Sequence, residues 1–215
     1  MELHEPYPAG WGVWPALILY GAFVWTELIF EGSATPSNIA LLALLYSIPT
    51  WSGMAVFGKE TWLQRGEAFS VFFSILATFA PTEVRVSDPE ACRHCGAACQ
   101  PVKGECVNCY KCFAQATPEQ RQLNLRPWAV GIGAAGRASP SQLVFVIFVL
   151  AAVAYDSLLP TALWAKLHAL ISMPQTLGLV ATPLCLLAVY LGFVKLLISA
   201  QTSKARILAA LCNRG

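Results

Sequence analysis

Six thiols crowd into 21 residues, "CRHCGAACQPVKGECVNCYKC", as Cys92, Cys95, Cys99, Cys106, Cys109 and Cys112. The spacing is C-x2-C-x3-C-x6-C-x2-C-x2-C. Within it, Cys92, Cys95, Cys106 and Cys109 form C-x2-C-x10-C-x2-C. Two facing C-x2-C pairs can close a tetrahedral zinc site, because four thiolates satisfy the ion with no other ligand. Gly96 permits a tight turn after the second thiol. The last three thiols, C-x2-C-x2-C, begin like an iron–sulfur run, but that run continues x3-C-P, and here Ala116 and Thr117 stand instead. A cluster therefore needs Cys99 or another remote fourth ligand. Disulfides are the third chemistry, expected if the segment faces an oxidising compartment. The expected ion is zinc, with an iron–sulfur cluster as the alternative. Six thiols and His94 exceed one tetrahedral site, so two sites or two spectator thiols are allowed.

A second group of residues is acidic. Glu67, Asp156 and Glu27 lie in or beside apolar runs, where ionisable groups are costly and mark candidate function. Glu67 and Asp156, with His168, are the candidate catalytic set: they could bind a metal ion or relay protons. The plainer reading pairs Glu67 with Arg65 or Lys59 and leaves the histidines solvated.

The elements that must position these groups are set by composition. The chain has 215 residues, 56% hydrophobic and 12% charged. Soluble domains average about 25% charged residues, so lipid is the expected solvent for much of the chain. A net charge of +2 gives no case for nucleic acid as a partner. Five apolar runs are candidate spans: 11–30, 39–57, 68–82, 143–159 and 177–197, the third being short. Pro15, Pro49 and Pro183 are expected to kink three of them. The fold class expected is all-α, a polytopic bundle of about five transmembrane helices with a small cysteine-rich module. The domain reading is 1–86 for three spans, 87–140 for the module, 141–200 for two spans and 201–215 for an amphipathic tail. Segments 161–172 and 201–212 are expected to lie along the membrane surface.

Lys and Arg set the expected orientation. The run 83–142 holds seven, and the C-terminal end four, against two in 58–67 and one in 160–176. Basic residues favour the cytoplasmic side. Five crossings then give an N-out, C-in protein with the thiols in the cytosol, where they stay reduced. Within the module, Ser87 or Asp88 can cap a helix carrying Cys92, Cys95 and Cys99 on one stripe. Cys106, Cys109 and Cys112 fall on a second stripe, which suggests a helical hairpin. Thr117 to Gln120, "TPEQ", reads as a capping box. A module of this size buries little core, so a bound metal would contribute directly to its folding.

The phrases "PYPAGWGVWPAL", "VFGKETWLQRGEAFSVFF", "LNLRPWAVG" and "YDSLLPTALW" resemble a family of bacterial polytopic membrane proteins known as fenitrothion hydrolase-like. The resemblance implies a membrane-bound hydrolase of organophosphate esters, working with a partner subunit, in the bacterial inner membrane. It supplies no catalytic motif. The family's members are longer, so on this likeness the chain reads as a subunit or truncated homologue. Taken together, the expectation is an inner-membrane subunit or scaffold with a cytoplasmic zinc module, partnered by lipid and by other subunits. A metal-assisted hydrolase, an iron–sulfur electron carrier and a solute pathway are the rivals.

Overall fold

The computed structural model describes residues 5–87, 90, 105–134, 138–171 and 174–212. In chain order the helices and strands are α1 (Trp14–Leu28), α2 (Pro36–Phe57), α3 (Lys59–Arg65), α4 (Ala68–Ala77), β1 (Thr82–Val86), β2 (Cys106–Val107), α5 (Tyr110–Gln115), β3 (Arg121–Leu125), α6 (Val130–Ala134), α7 (Pro140–Leu158), α8 (Ala162–Ile171) and α9 (Gln175–Cys212). They divide into two compact units. One comprises Met1–Tyr7 and Gly53–Ser139, the other Pro8–Ser52 and Pro140–Gly215.

The second unit is helical. Three helices are long and apolar enough to cross a membrane: α2 with 22 residues, α7 with 19, and Gln175–Thr202 of α9 with 28. At 1.5 Å per residue each reaches or nearly reaches the roughly 30 Å hydrocarbon core. Their outward residues are large and apolar, among them Leu44, Ile48, Leu150 and Leu196. Lipid accounts for that exposure, which water would penalise. Pro49 and Pro183 sit inside α2 and α9, as expected, but Pro15 lies in the first turn of α1. There its missing N–H costs nothing, so it starts the helix instead of bending it.

Helix α7 forms the core of this unit through Phe145, Ala151 and Tyr155, all essentially fully buried. Tyr20 of α1 packs on Phe145 and Phe148, with ring centroids 5.6 and 6.1 Å away. Ser141, in the first turn of α7, accepts a hydrogen bond at 3.2 Å from the backbone N–H of Val13, just before α1. At the other end, Trp25 of α1 donates to the Thr176 hydroxyl at 3.2 Å. The Tyr155 hydroxyl donates to the Gln175 carbonyl at 2.7 Å. Helix α1 therefore runs parallel to α7, from its first turn to the junction with α9. An N-out chain with five crossings would put the starts of α1 and α7 on opposite faces of the membrane. The bonds at Ser141 and Thr176 instead set α1 and α7 parallel, with their starts side by side.

The first unit is mixed. Trp62 of α3 is buried against Gly53 and Gly66, where a Cβ at either position would strike the indole. The Phe57 ring stacks on it at 5.8 Å. The N-terminal tail joins this cluster: the Glu5 N–H donates to the Val56 carbonyl at 3.0 Å, and Tyr7 meets Phe57 edge-on at 5.4 Å. The run 68–82, expected as a span, is a helix only over the ten residues of α4. That is about 15 Å, half the hydrocarbon thickness. Pro81 follows, and "TEVRV" alternates polar and β-branched residues, so the chain turns into a strand.

An all-α fold is thus corrected by a three-stranded antiparallel sheet, in the order β2-β1-β3. The register pairs Val86 with Cys106 and Arg121, Val84 with Leu123, and Thr82 with Leu125. The sheet takes in Thr82–Val86, ahead of the residue 87 boundary read from sequence. Residues 201–212, expected as a separate surface helix, continue α9 without a break, whereas α8 is separate as expected.

Candidate metal centre

The local chain dictates where the thiols go. Val107 favours a strand, and Asn108 after it adopts φ +52°. Asparagine tolerates this left-handed conformation better than other side-chain-bearing residues. The turn is fixed to β1 twice. The Asn108 N–H donates to the Val84 carbonyl at 2.8 Å, and the Val84 N–H donates to the Asn108 Oδ1 at 2.9 Å. Cys106 therefore leaves a strand, and Cys109 precedes the first turn of α5. Cys112 lies within that short helix.

Cys106 and Cys112 are buried, with 0% and 1% exposure, in a cluster with Val86 and Ala116. Their sulfurs lie 3.4 Å apart, and Cys109 packs against the cluster. None of Cys106, Cys109, Cys112 and Cys185 is in a disulfide. A disulfide needs about 2.05 Å between sulfurs. Zinc with four thiolates at about 2.3 Å sets them about 3.8 Å apart. The Cys106–Cys112 separation fits two adjacent corners of such a tetrahedron after a shift of a few tenths of an ångström. Among the described residues, no three His, Cys, Asp or Glu side chains form a complete metal group. Cys92, Cys95 and Cys99 lie outside the described residues, as does His94.

Helix α5 is closed by Arg121. Its Nε and Nη2 both donate to the Ala116 carbonyl, at 3.1 and 2.8 Å, while its guanidinium lies 4.4 Å from the Phe113 ring centre. The capping box at Thr117 forms, with the Thr117 N–H donating to Gln120 Oε1 at 2.8 Å, but it opens a 3-10 turn over Pro118–Gln120. The stripe of Cys106, Cys109 and Cys112 on one helix is also corrected: Cys106 belongs to β2. The sequence offered no helix start before Cys106, and the β-branched Val107 beside a turn-forming asparagine was the available sign of a strand end.

A second polar network ties the sheet to α4. Arg126 donates through Nε to the Ala80 carbonyl at 3.0 Å and through Nη2 to Ala77 at 3.3 Å. Its Nη1 lies 3.7 Å from Glu83 Oε2, and both side chains are only 9% exposed. Arg85 Nε meets the other Glu83 oxygen at 2.7 Å. Arg126 thus satisfies carbonyls at the end of α4 and complements that helix's negative end. Nothing local in the sequence marks Arg126, Glu83 or Asn108, because their distant partners lie 24 to 49 residues away.

The proposed catalytic set is positioned differently. Glu67 is buried and caps α4: Phe69 and Ser70 donate their N–H groups to its two oxygens at 3.1 and 2.6 Å. Asp156 is exposed on α7, and His168 lies on α8. Glu67 belongs to the first unit, Asp156 and His168 to the second. Glu27 is exposed on α1 and Cys185 on α9. No protein-family profile, curated protein or solved structure matches this chain.

Proposed function

We propose that this is a membrane subunit or scaffold whose sheet module is held together by one metal ion, zinc, on the cytoplasmic face. The observation that carries the reading is the buried Cys106–Cys112 contact at 3.4 Å, next to Cys109 and hinged on Asn108. Those two thiols supply two corners of the site. Cys109 and the thiols at 92, 95 and 99 are the candidates for the rest. The ion would act structurally, because a three-stranded sheet with two-residue β2 has little apolar core to stabilise it.

The membrane part crosses four times, through α1, α2, α7 and α9. Helix α1, at 15 residues, follows α7 from Ser141 to the Gln175 junction and so traverses the same thickness. Helix α4 does not cross. The N-terminus, the module and the C-terminus then share one face. Within about 20 residues of the span ends, that face carries Lys59, Arg65, Arg121, Arg126, Arg137, Lys204, Arg206 and Arg214, against Lys166 alone on the other. The imbalance assigns the module to the cytoplasm.

Metal analysis and an optical spectrum of protein purified without oxygen test the reading. The expected result is a colourless sample with about one zinc per chain, and its loss in Cys106→Ser and Cys112→Ser. Iron with visible absorbance that bleaches on reduction would replace zinc with a cluster. Metal-free protein with Cys106 and Cys112 in disulfides would end the proposal.

A further inference from the structure

One face of the sheet is buried at its Cys106 end and exposed at the other. Val86, Cys106 and Arg121 share one face of the sheet, as neighbours in register. Two residues along β3, the same face presents Leu123 and Leu125, 74% and 84% exposed. Trp128, just beyond the strand, is 71% exposed, and its ring meets Phe79 at 5.5 Å. Phe79 follows α4, on which Phe73 and Leu76 are also exposed. Among the described residues, strand β3 is an edge strand, paired only with β1. A water-facing sheet would carry polar residues in this register.

We propose that this surface rests in the cytoplasmic leaflet, so that the metal module lies flat on the membrane. Three features select lipid as the occupant. Residues 121–139 contain no Asp or Glu, so no carboxylate of the segment opposes an anionic leaflet, and Arg137 adds a positive charge to it. An aromatic residue beside leucines and arginines is the composition of an interfacial segment. The segment also ends at Pro140, where the crossing helix α7 begins, so the chain is already at the bilayer surface. The inference holds whichever ion the thiols bind, and rests only on the module's sharing the membrane face at which α7 starts.

A photo-crosslinking residue, benzoylphenylalanine, placed at Leu125 in the full chain tests it, with Gln122 on the opposite face of the same strand as the control. The protein is reconstituted in vesicles of phosphatidylethanolamine and phosphatidylglycerol, irradiated and analysed by mass spectrometry. Lipid adducts several-fold more abundant at 125 than at 122 are expected, falling when phosphatidylglycerol is replaced by phosphatidylcholine. Adducts at 125 to a second copy of the chain or to another protein would overturn the proposal. So would equal lipid labelling at both positions or none at either. Zinc measured in the same samples reports separately on the thiol site.

Discussion

Asn108 combines two constraints in one residue, a left-handed φ of +52° and a side-chain acceptor for the Val84 N–H. Asn108→Gly keeps the first and loses the second, at a cost of about 1 kcal/mol. Asn108→Ala loses both, at about 2 kcal/mol. Zinc release to a chromogenic chelator should therefore accelerate in the order wild type, Asn108→Gly, Asn108→Ala. Equal rates would mean that the turn does not position the thiols. Glu67 gives a second contrast at this scale. As a cap with both oxygens engaged, it loses one acceptor in Glu67→Gln and both in Glu67→Ala. Stepwise loss of thermal stability is expected, reaching about 1 kcal/mol for Ala. A catalytic carboxylate would instead lose function fully in Glu67→Gln with stability unchanged. The burial of Glu67 was foreseeable from its place before an apolar run; its partners are the two N–H groups that open α4, a role that "GEAF" could have suggested.

At the level of elements, α4 is fixed at both ends, by Glu67 and by Arg126. Arg126 reaches two backbone carbonyls and Glu83 at once, which a lysine ammonium on a longer leash of rotamers does less well. Arg126→Ala leaves Glu83 with one partner fewer in a buried site and should cost about 3 kcal/mol. Adding Glu83→Ala should recover part of that loss, since the unpaired charge goes with it. Thermal unfolding of the single and double variants measures the coupling, and strict additivity would contradict the pair. In the helical unit, α7, α8 and α9 meet at Gly178, where a Cβ would press on the Trp164 ring and the Tyr155 hydroxyl. Gly178→Ala should break the Tyr155 bond to Gln175 and lower the melting temperature, while Gly192→Ala, with open space around it, should not. In lipid this contact contributes packing, not exclusion of water, so the steric term dominates.

For the whole molecule, the proposed four crossings would place both termini inside and Gly32, between α1 and α2, outside. Reporters that distinguish the two compartments, fused at the N-terminus and at the C-terminus or inserted at Gly32, should read inside, inside and outside. Five crossings with the N-terminus outside would read outside, inside and inside. The thiol module is cytoplasmic in both arrangements, because parity changes only at the N-terminal end and the basic residues of 58–139 stay together.

Composition and hydropathy alone marked a membrane protein with long apolar runs at 39–57, 143–159 and 177–197, which the structure forms as helices Pro36–Phe57, Pro140–Leu158 and Gln175–Thr202, because desolvation of side chains acts residue by residue. The crowding of thiols was equally visible. Tertiary structure decided three other things: that "TEVRV" pairs with segments 20 and 40 residues away, that Cys106 meets Cys112, and that α1 runs alongside α7. Each depends on hydrogen bonds and packing between distant residues, such as Val13 with Ser141 and Val84 with Asn108. A local pattern fixes which groups must find partners; only the folded chain determines which partners they find.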